Sequence, residues 1–151
     1  GTIGEHQRMD GTVIADAVNL ASRIESLTKN YGAGTLISDF SWQSVKDKHK
    51  YDSRLVDRVA VKGKNEPVDL IEVFNSDVDD LRKLKLRQKA AFAAALDLYR
   101  RGNFSDAKNA FLQLAAENAH DRTLRLYLER IERYIQYPPR EWLGFEVLTE
   151  K

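Results

Sequence analysis

Two apolar strand patterns joined by a turn constrain this chain more than any other feature. Arg54 to Val61 carries its apolar residues (Leu55, Val56, Val59, Val61) in an alternating, strand-like pattern. Lys62-Gly63-Lys64-Asn65-Glu66-Pro67 then supplies the Gly, Asn and Pro of a turn. Val68 to Phe74 returns with Val68, Leu70, Ile71, Val73 and Phe74. Such a pair requires an antiparallel partner surface and something apolar to cover it. Upstream, Thr35-Leu36-Ile37-Ser38 reads as a short buried strand, and Asp39 to Lys48 as a short helix carrying Trp42 and Val45.

The first third follows the same logic. Thr2-Ile3-Gly4 and Thr12-Val13-Ile14 are short β-branched runs joined by a polar stretch, with Asp10-Gly11 as a turn dipeptide. Asp16 is placed to cap a helix that runs to about Tyr31, with Ala17, Leu20, Ala21, Ile24, Leu27 and Tyr31 as its apolar stripe. Gly32-Ala33-Gly34 ends it, because glycine takes the left-handed terminal conformation at little cost. The order β, β, α, β, α, β, β predicts an α+β fold with antiparallel pairing.

Beyond residue 75 the period changes. Asn75 to Lys89 is a charge-dense connector, acidic first (Asp77, Asp79, Asp80) and basic later (Arg82, Lys83, Lys85, Arg87, Lys89), as suits a helix macrodipole. It reads as a solvated helix face. No aromatic residues interleave with its bases as nucleic-acid binding would want. From Ala90 the pattern is helical, with stripes Ala91-Ala94-Ala95-Leu98-Tyr99 and Phe104-Ala107-Phe111-Leu114 on either side of Gly102-Asn103. A third helix, Asp121 to about Tyr137, presents Leu124, Tyr127, Leu128, Ile131, Tyr134 and Ile135. Tyr137-Pro138-Pro139 stops it, and packing is the reading for Trp142.

Bulk properties exclude several classes. The 24 Lys and Arg against 23 Asp and Glu leave a net charge of +1, so no global field favours nucleic acid. No apolar run approaches the roughly 18–20 residues of a membrane span, and the start has no signal-peptide pattern. With no cysteine, disulfides and thiolate metal sites are excluded, which agrees with a cytoplasmic setting. His6, His49 and His120 have no metal-ligand spacing. The chain begins at Gly1 and its single Met is Met9, which reads as the C-terminal part of a longer protein.

Asn19 and Arg23 stand four apart on the first helix and therefore share a face. An amide and a guanidinium one turn apart can reach one anionic ligand together, although on spacing alone a solvated polar face is the plainer reading. The surrounding run, Met9-Asp10-Gly11-Thr12-Val13-Ile14-Ala15-Asp16-Ala17-Val18-Asn19-Leu20-Ala21-Ser22-Arg23, resembles the signature of class III adenylate and guanylate cyclases. It departs at Gly11, where an aromatic is common, and at Ala15, where a Gly is common. Neither departure touches the Asn/Arg pair.

The resemblance implies the second half of a ferredoxin-like cyclase sheet over residues 1–75, a charged helical connector over 76–89, and helices with a tail over 90–151. The spacing Gly102, Phe104, Ala107, Phe111 resembles a tetratricopeptide repeat. With about one and a half repeats, those helices are expected to lean on the cyclase portion or on a second copy. As for chemistry, the resemblance implies that Arg23 donates to the phosphate under attack and Asn19 orients the ribose. Lys62, in Val61-Lys62-Gly63-Lys64, matches the lysine that holds the terminal phosphates. Thr12 falls where the family reads the purine. A threonine hydroxyl can accept from adenine or donate to guanine, but with no Cys in the chain the family pattern favours ATP.

The family's metal-binding aspartates, the ligands for Mg2+ or Mn2+, lie upstream of this segment, so the fragment alone is expected to be inactive. The resemblance implies an active site at a homodimer interface, and the helical tail is a candidate surface for a protein partner. The reading from a different class is a non-catalytic, cyclase-like dimerisation scaffold with a partner-binding helical module.

Overall fold

The computed structural model describes residues 24, 26, 28–61 and 66–148. The two N-terminal strands and the Asp16 cap expected from the sequence lie outside these residues. The first described element is the end of a helix, α1, whose residues 24, 26 and 28–31 are helical. Gly32 closes it at φ +69°. Its N–H donates to the Lys29 carbonyl at 3.3 Å while Ala33 N–H reaches back to Thr28 at 3.0 Å, the paired bonds of a Schellman ending.

Four strands form a mixed sheet in the order β1-β3-β2-β4. β1 (Thr35–Ser38) and β2 (Ser53–Val61) both run antiparallel to the central β3 (Val68–Val73). The fold is α+β, as the residue pattern predicts. The hairpin forms at its predicted place because its apolar positions face a covering layer. That layer is α4 (Lys89–Arg100), α5 (Phe104–Glu117) and α6 (Arg122–Gln136).

Sheet and helices share one core. Val56, Val59 and Leu70 from the sheet cluster with Phe92, Leu96 and Tyr99 of α4, Phe111 of α5, and Tyr127 and Ile131 of α6. Tyr31 and Leu36 belong to the same cluster. The rings interlock: Phe111 stacks on Tyr127 at 4.8 Å, and Tyr99 meets Tyr127 edge-on at 5.0 Å. Such pairs add about 0.5–1.5 kcal/mol each beyond area burial. The helices thus lean on the sheet, one of the two surfaces expected to cover them.

Four local readings change. The helix expected over Asp39 to Lys48 ends after one turn, as α2 (Asp39–Gln43), and Asp47 adopts φ +56° before a short 3-10 turn at Lys48–Lys50. Serine and aspartate near the chain compete for helical backbone groups, which shortens such helices. The alternation of β2 is broken by a bulge between Leu55 and Asp57, so Val56 and Asp57 are both fully buried. The connector's helix, α3 (Asp79–Arg87), is not uniformly solvated, because Lys85 is only 3% exposed. Finally, the tail adds a strand that the sequence pattern does not announce: β4 (Glu146–Leu148), parallel to β2.

Trp142 leads into that strand by packing. Its indole N–H donates to the carbonyls of Tyr99 and Arg100, 3.1 and 2.9 Å away, so it satisfies the carbonyl end of α4. Its ring lies against Tyr99, Phe104 and Tyr134 and over Gly102, which holds φ +80°.

Candidate functional site

Thr12, Asn19, Arg23 and Lys62, the residues picked out by the sequence, all lie outside the described residues. Their supports are described. Arg23 directly precedes Ile24, a buried core residue of α1, and Lys62 directly follows Val61, the last residue of β2. The geometry that bears on function is therefore how α1 and the end of β2 are held.

The bulge in β2 is the anchoring point. It leaves an extra backbone carbonyl and turns a carboxylate inward. The Tyr127 hydroxyl donates to the freed Val56 carbonyl. Asp57 accepts from the Tyr31 hydroxyl at the end of α1, from Arg130 Nη1 at 2.8 Å, and from the Arg58 N–H at 2.8 Å. α6 also bonds α1 directly, as Thr123 Oγ1 donates to the Tyr31 carbonyl at 2.9 Å. Burial, helped by the Asp57 charge, lifts the Tyr31 hydroxyl well above the ordinary tyrosine range. Burial opposes the Arg130 charge, but Asp57 and the surrounding tyrosines outweigh it and hold the guanidinium firmly protonated.

A second charged cluster ties β2, β3, α3 and α6 together. Arg54 and Glu72 are cross-strand partners, with Nε donating to the carboxylate at 2.7 Å. The other arm of Arg54 makes a two-point bond to Asp121 at 2.8 and 3.0 Å, and its guanidinium lies 4.5 Å from the Phe92 ring. Asp121 in turn caps α6 through the Thr123 N–H. Lys85 Nζ reaches Glu72 at 2.8 Å and Asp77 at 2.6 Å. Every charge in this cluster has a partner, so it supports the fold and leaves no base or nucleophile free for chemistry.

Beside the start of β3 the surface is concave. An open hollow of about 590 Å³ is lined by Asp39, Phe40, Gln43, Arg58, Glu66, Pro67, Val68 and Asp69. Arg58 and Asp69 neutralise each other across it at 2.7 Å. Among the described residues no group of three His, Asp or Glu side chains is arranged to hold a metal ion. No helix among them is long and apolar enough to cross a membrane.

Sequence reasoning misses Asp57, Arg54, Glu72 and Lys85 as interior residues. The available signal was a charge set inside an apolar run, as in Leu55-Val56-Asp57 and Leu84-Lys85-Leu86. Such a charge needs a partner, but the partners here come from elements far along the chain.

Comparison with known proteins places this framework. The chain is 35% identical over 131 residues, 86% of its length, to "adenylate cyclase, terminal-differentiation specific" of Dictyostelium discoideum, of which it covers 6%. It is 47% identical over 74 residues to an adenylate cyclase of Anabaena cylindrica and 34% identical over 73 residues to adenylate cyclase 1 of Rhizobium meliloti, covering 15% and 11% of those proteins. It therefore spans only a small part of each relative. No protein-family model matches the chain, and no solved structure does. A 131-residue match in a chain of 151 necessarily takes in β1, β2 and β3 of the sheet and the helices α2 to α5. The chain is related to adenylate cyclases.

Proposed function

We propose that this chain supplies the transition-state half of an adenylate cyclase site, with the complementary metal-binding half on another segment and, in a homodimer, on another protomer. The observation that carries the reading is the long similarity to an adenylate cyclase together with the Asn19, Arg23 and Lys62 set. In the reaction the ribose 3′-oxygen of ATP forms a bond to the α-phosphorus and loses its proton. The bond from that phosphorus to the bridging oxygen breaks, and 3′,5′-cyclic AMP and pyrophosphate result. Negative charge is spread over non-bridging oxygens as this happens, so the useful groups are fixed cationic donors.

Arg23 is assigned to the α-phosphate, where a planar, permanently charged fork suits the oxygens of a five-coordinate phosphorus. Asn19, one turn earlier, orients the ribose. Lys62 holds the terminal phosphates, and Thr12 accepts from the adenine amino group. Mg2+ or Mn2+, with ligands outside this chain, belongs to the same reading and supplies charge neutralisation at the phosphates. The roles given to the four residues do not depend on its position. Residues 1–75 form the cyclase part, 76–89 the connector, and 90–151 a tetratricopeptide-like extension through which a protein partner is bound.

The test is Arg23→Ala in the full-length protein, assayed for cyclic AMP with ATP and Mn2+. Loss of an oxyanion-type donor is expected to lower kcat by about 10²–10³ with little change in KM. Activity within a few-fold of wild type would remove Arg23 from the mechanism. Mixing this chain with a separately produced upstream segment gives a second test, since restored activity is the expected result for complementary halves.

A further inference from the structure

We infer that Arg130 of α6 is a positioning residue that ties the helix leading from Asn19 and Arg23 to the strand end that leads into Lys62. The inference rests on the cyclase reading for its consequence in catalysis, but its geometry is independent of that reading. Two supports converge on this one guanidinium.

The first support is the end of α1. Tyr31, the last helical residue, donates its hydroxyl to Asp57 Oδ2, and the same oxygen accepts from Arg130 Nη1 at 2.8 Å. The second is β4. Its first residue, Glu146, lies 3.6 Å from Arg130 Nε and also accepts from Arg133 at 2.9 Å and from the Tyr134 hydroxyl. β4 pairs in register with the last turnless residues of β2: Val59 opposite Glu146, Ala60 opposite Val147, Val61 opposite Leu148. Lys62 is the next residue along the chain.

What faces Arg130 leaves little freedom. Tyr99 of α4 and Tyr127 of α6 present their rings at 6.0 and 5.2 Å from its guanidinium carbon. The Tyr99 hydroxyl is also within 3.3 Å of Nη1. A planar fork held against two rings, with Asp57 on one nitrogen and Glu146 beside another, transmits a shift of either support to the other. A lysine at this place concentrates its donors on one nitrogen and lacks the planar fork that sets Asp57 on one nitrogen and Glu146 beside another.

The experiment uses Tyr31→Phe, which removes only the α1 hydroxyl, and Glu146→Gln, which removes only the β4 charge. Both leave the Asp57–Arg130 pair intact and so protect the fold. Backbone amide exchange is followed at residues 24–31, 59–61 and 146–148, in each variant and again with Arg130→Lys. A lost net hydrogen bond corresponds to about five- to tenfold in a local opening equilibrium. Glu146→Gln is expected to speed exchange about fivefold or more at residues 28–31 as well as in β4, and Tyr31→Phe to do the converse. In the Arg130→Lys background these remote effects should vanish.

Activity of the full-length protein supplies the second readout. Tyr31→Phe should lower kcat for ATP with KM nearly unchanged, and Glu146→Gln should act chiefly on KM. Acceleration confined to the substituted support would overturn the tie, and so would uniform acceleration that includes the core of α5. If exchange behaves as expected while the wild-type protein makes no cyclic nucleotide, the tie stands and the cyclase reading falls.

Discussion

Lys85→Met tests the buried charged cluster most directly. Nζ of Lys85 is 2.8 Å from Glu72 and 2.6 Å from Asp77, and the Glu72 side chain has no exposure at all. Removing one partner of a buried pair typically costs about 3–5 kcal/mol, because the other charge is left without compensation. Three features place this site at the low end. Methionine keeps an unbranched, flexible apolar stem; Glu72 retains Arg54 at 2.7 Å; and Asp77, at 11% exposure, can recover some water. The expected loss is about 3 kcal/mol. For a chain of this size that lowers Tm by about 6–12 °C. Lys83→Met on the same helix is the control, since Lys83 is exposed and should change stability by no more than about 0.5 kcal/mol. Urea unfolding measures both, compared at constant slope. If Lys85→Met matches Lys83→Met, the cluster does not hold the sheet to α3 and the reasoning fails.

Other expectations follow from the same framework. Gly102→Ala forces a side chain at φ +80° and brings its Cβ to 3.0 Å from Trp142, so a loss of about 1–2 kcal/mol and a shift in tryptophan emission are expected; unchanged unfolding and emission would contradict the packing described. Burial lifts the hydroxyls of Tyr31, Tyr99 and Tyr127, and pushes Tyr134 up to about 12. Raised folded values mean that the unfolded chain releases these protons first. Stability is therefore complete below about pH 10, the ordinary tyrosine value, and falls as pH rises beyond it, by about 1.4 kcal/mol per pH unit for each fully buried tyrosine. Tyr127→Phe should flatten that alkaline slope in melts taken between about pH 9 and 12; an unchanged slope would count against a buried neutral hydroxyl. Arg23→Ala adds the catalytic prediction given above.

The legible parts of this fold are those governed by local pattern. β2 and β3 fall where alternation and the Gly-Asn-Pro turn put them, and α4 to α6 begin and end within a few residues of their sequence signals. Gly32 and Gly102 mark chain reversals because both need positive φ. The parts that escape are set by distant partners. Lys85 has the surroundings of a surface lysine until Glu72 and Asp77 are known, and Asp57 turns inward only because a bulge shifts the register. β4 is three residues long and is called into the sheet by β2 and by the ring of groups around Glu146, which no local pattern encodes. Candidate chemistry was legible for the opposite reason: Asn19, Arg23, Thr12 and Lys62 belong to a recognisable resemblance, and the described residues inform only their supports.

The bonds around the β2 bulge join residues very far apart in sequence: 71 positions for Val56 and Tyr127, 73 for Asp57 and Arg130, and 92 for Tyr31 and Thr123. Translation proceeds at about 5–20 residues per second, so β2 waits roughly 4–15 s on the ribosome before α6 exists. During that interval its inward carboxylate and bulged carbonyl have no stable home in the sheet, and closing such long loops is slow even once the residues are present. A nascent chain that stalls before Arg130 is thus left with a charged flaw at its centre. Completion of α6 is therefore the point in synthesis at which the β2 bulge gains Tyr127 and Arg130 as partners.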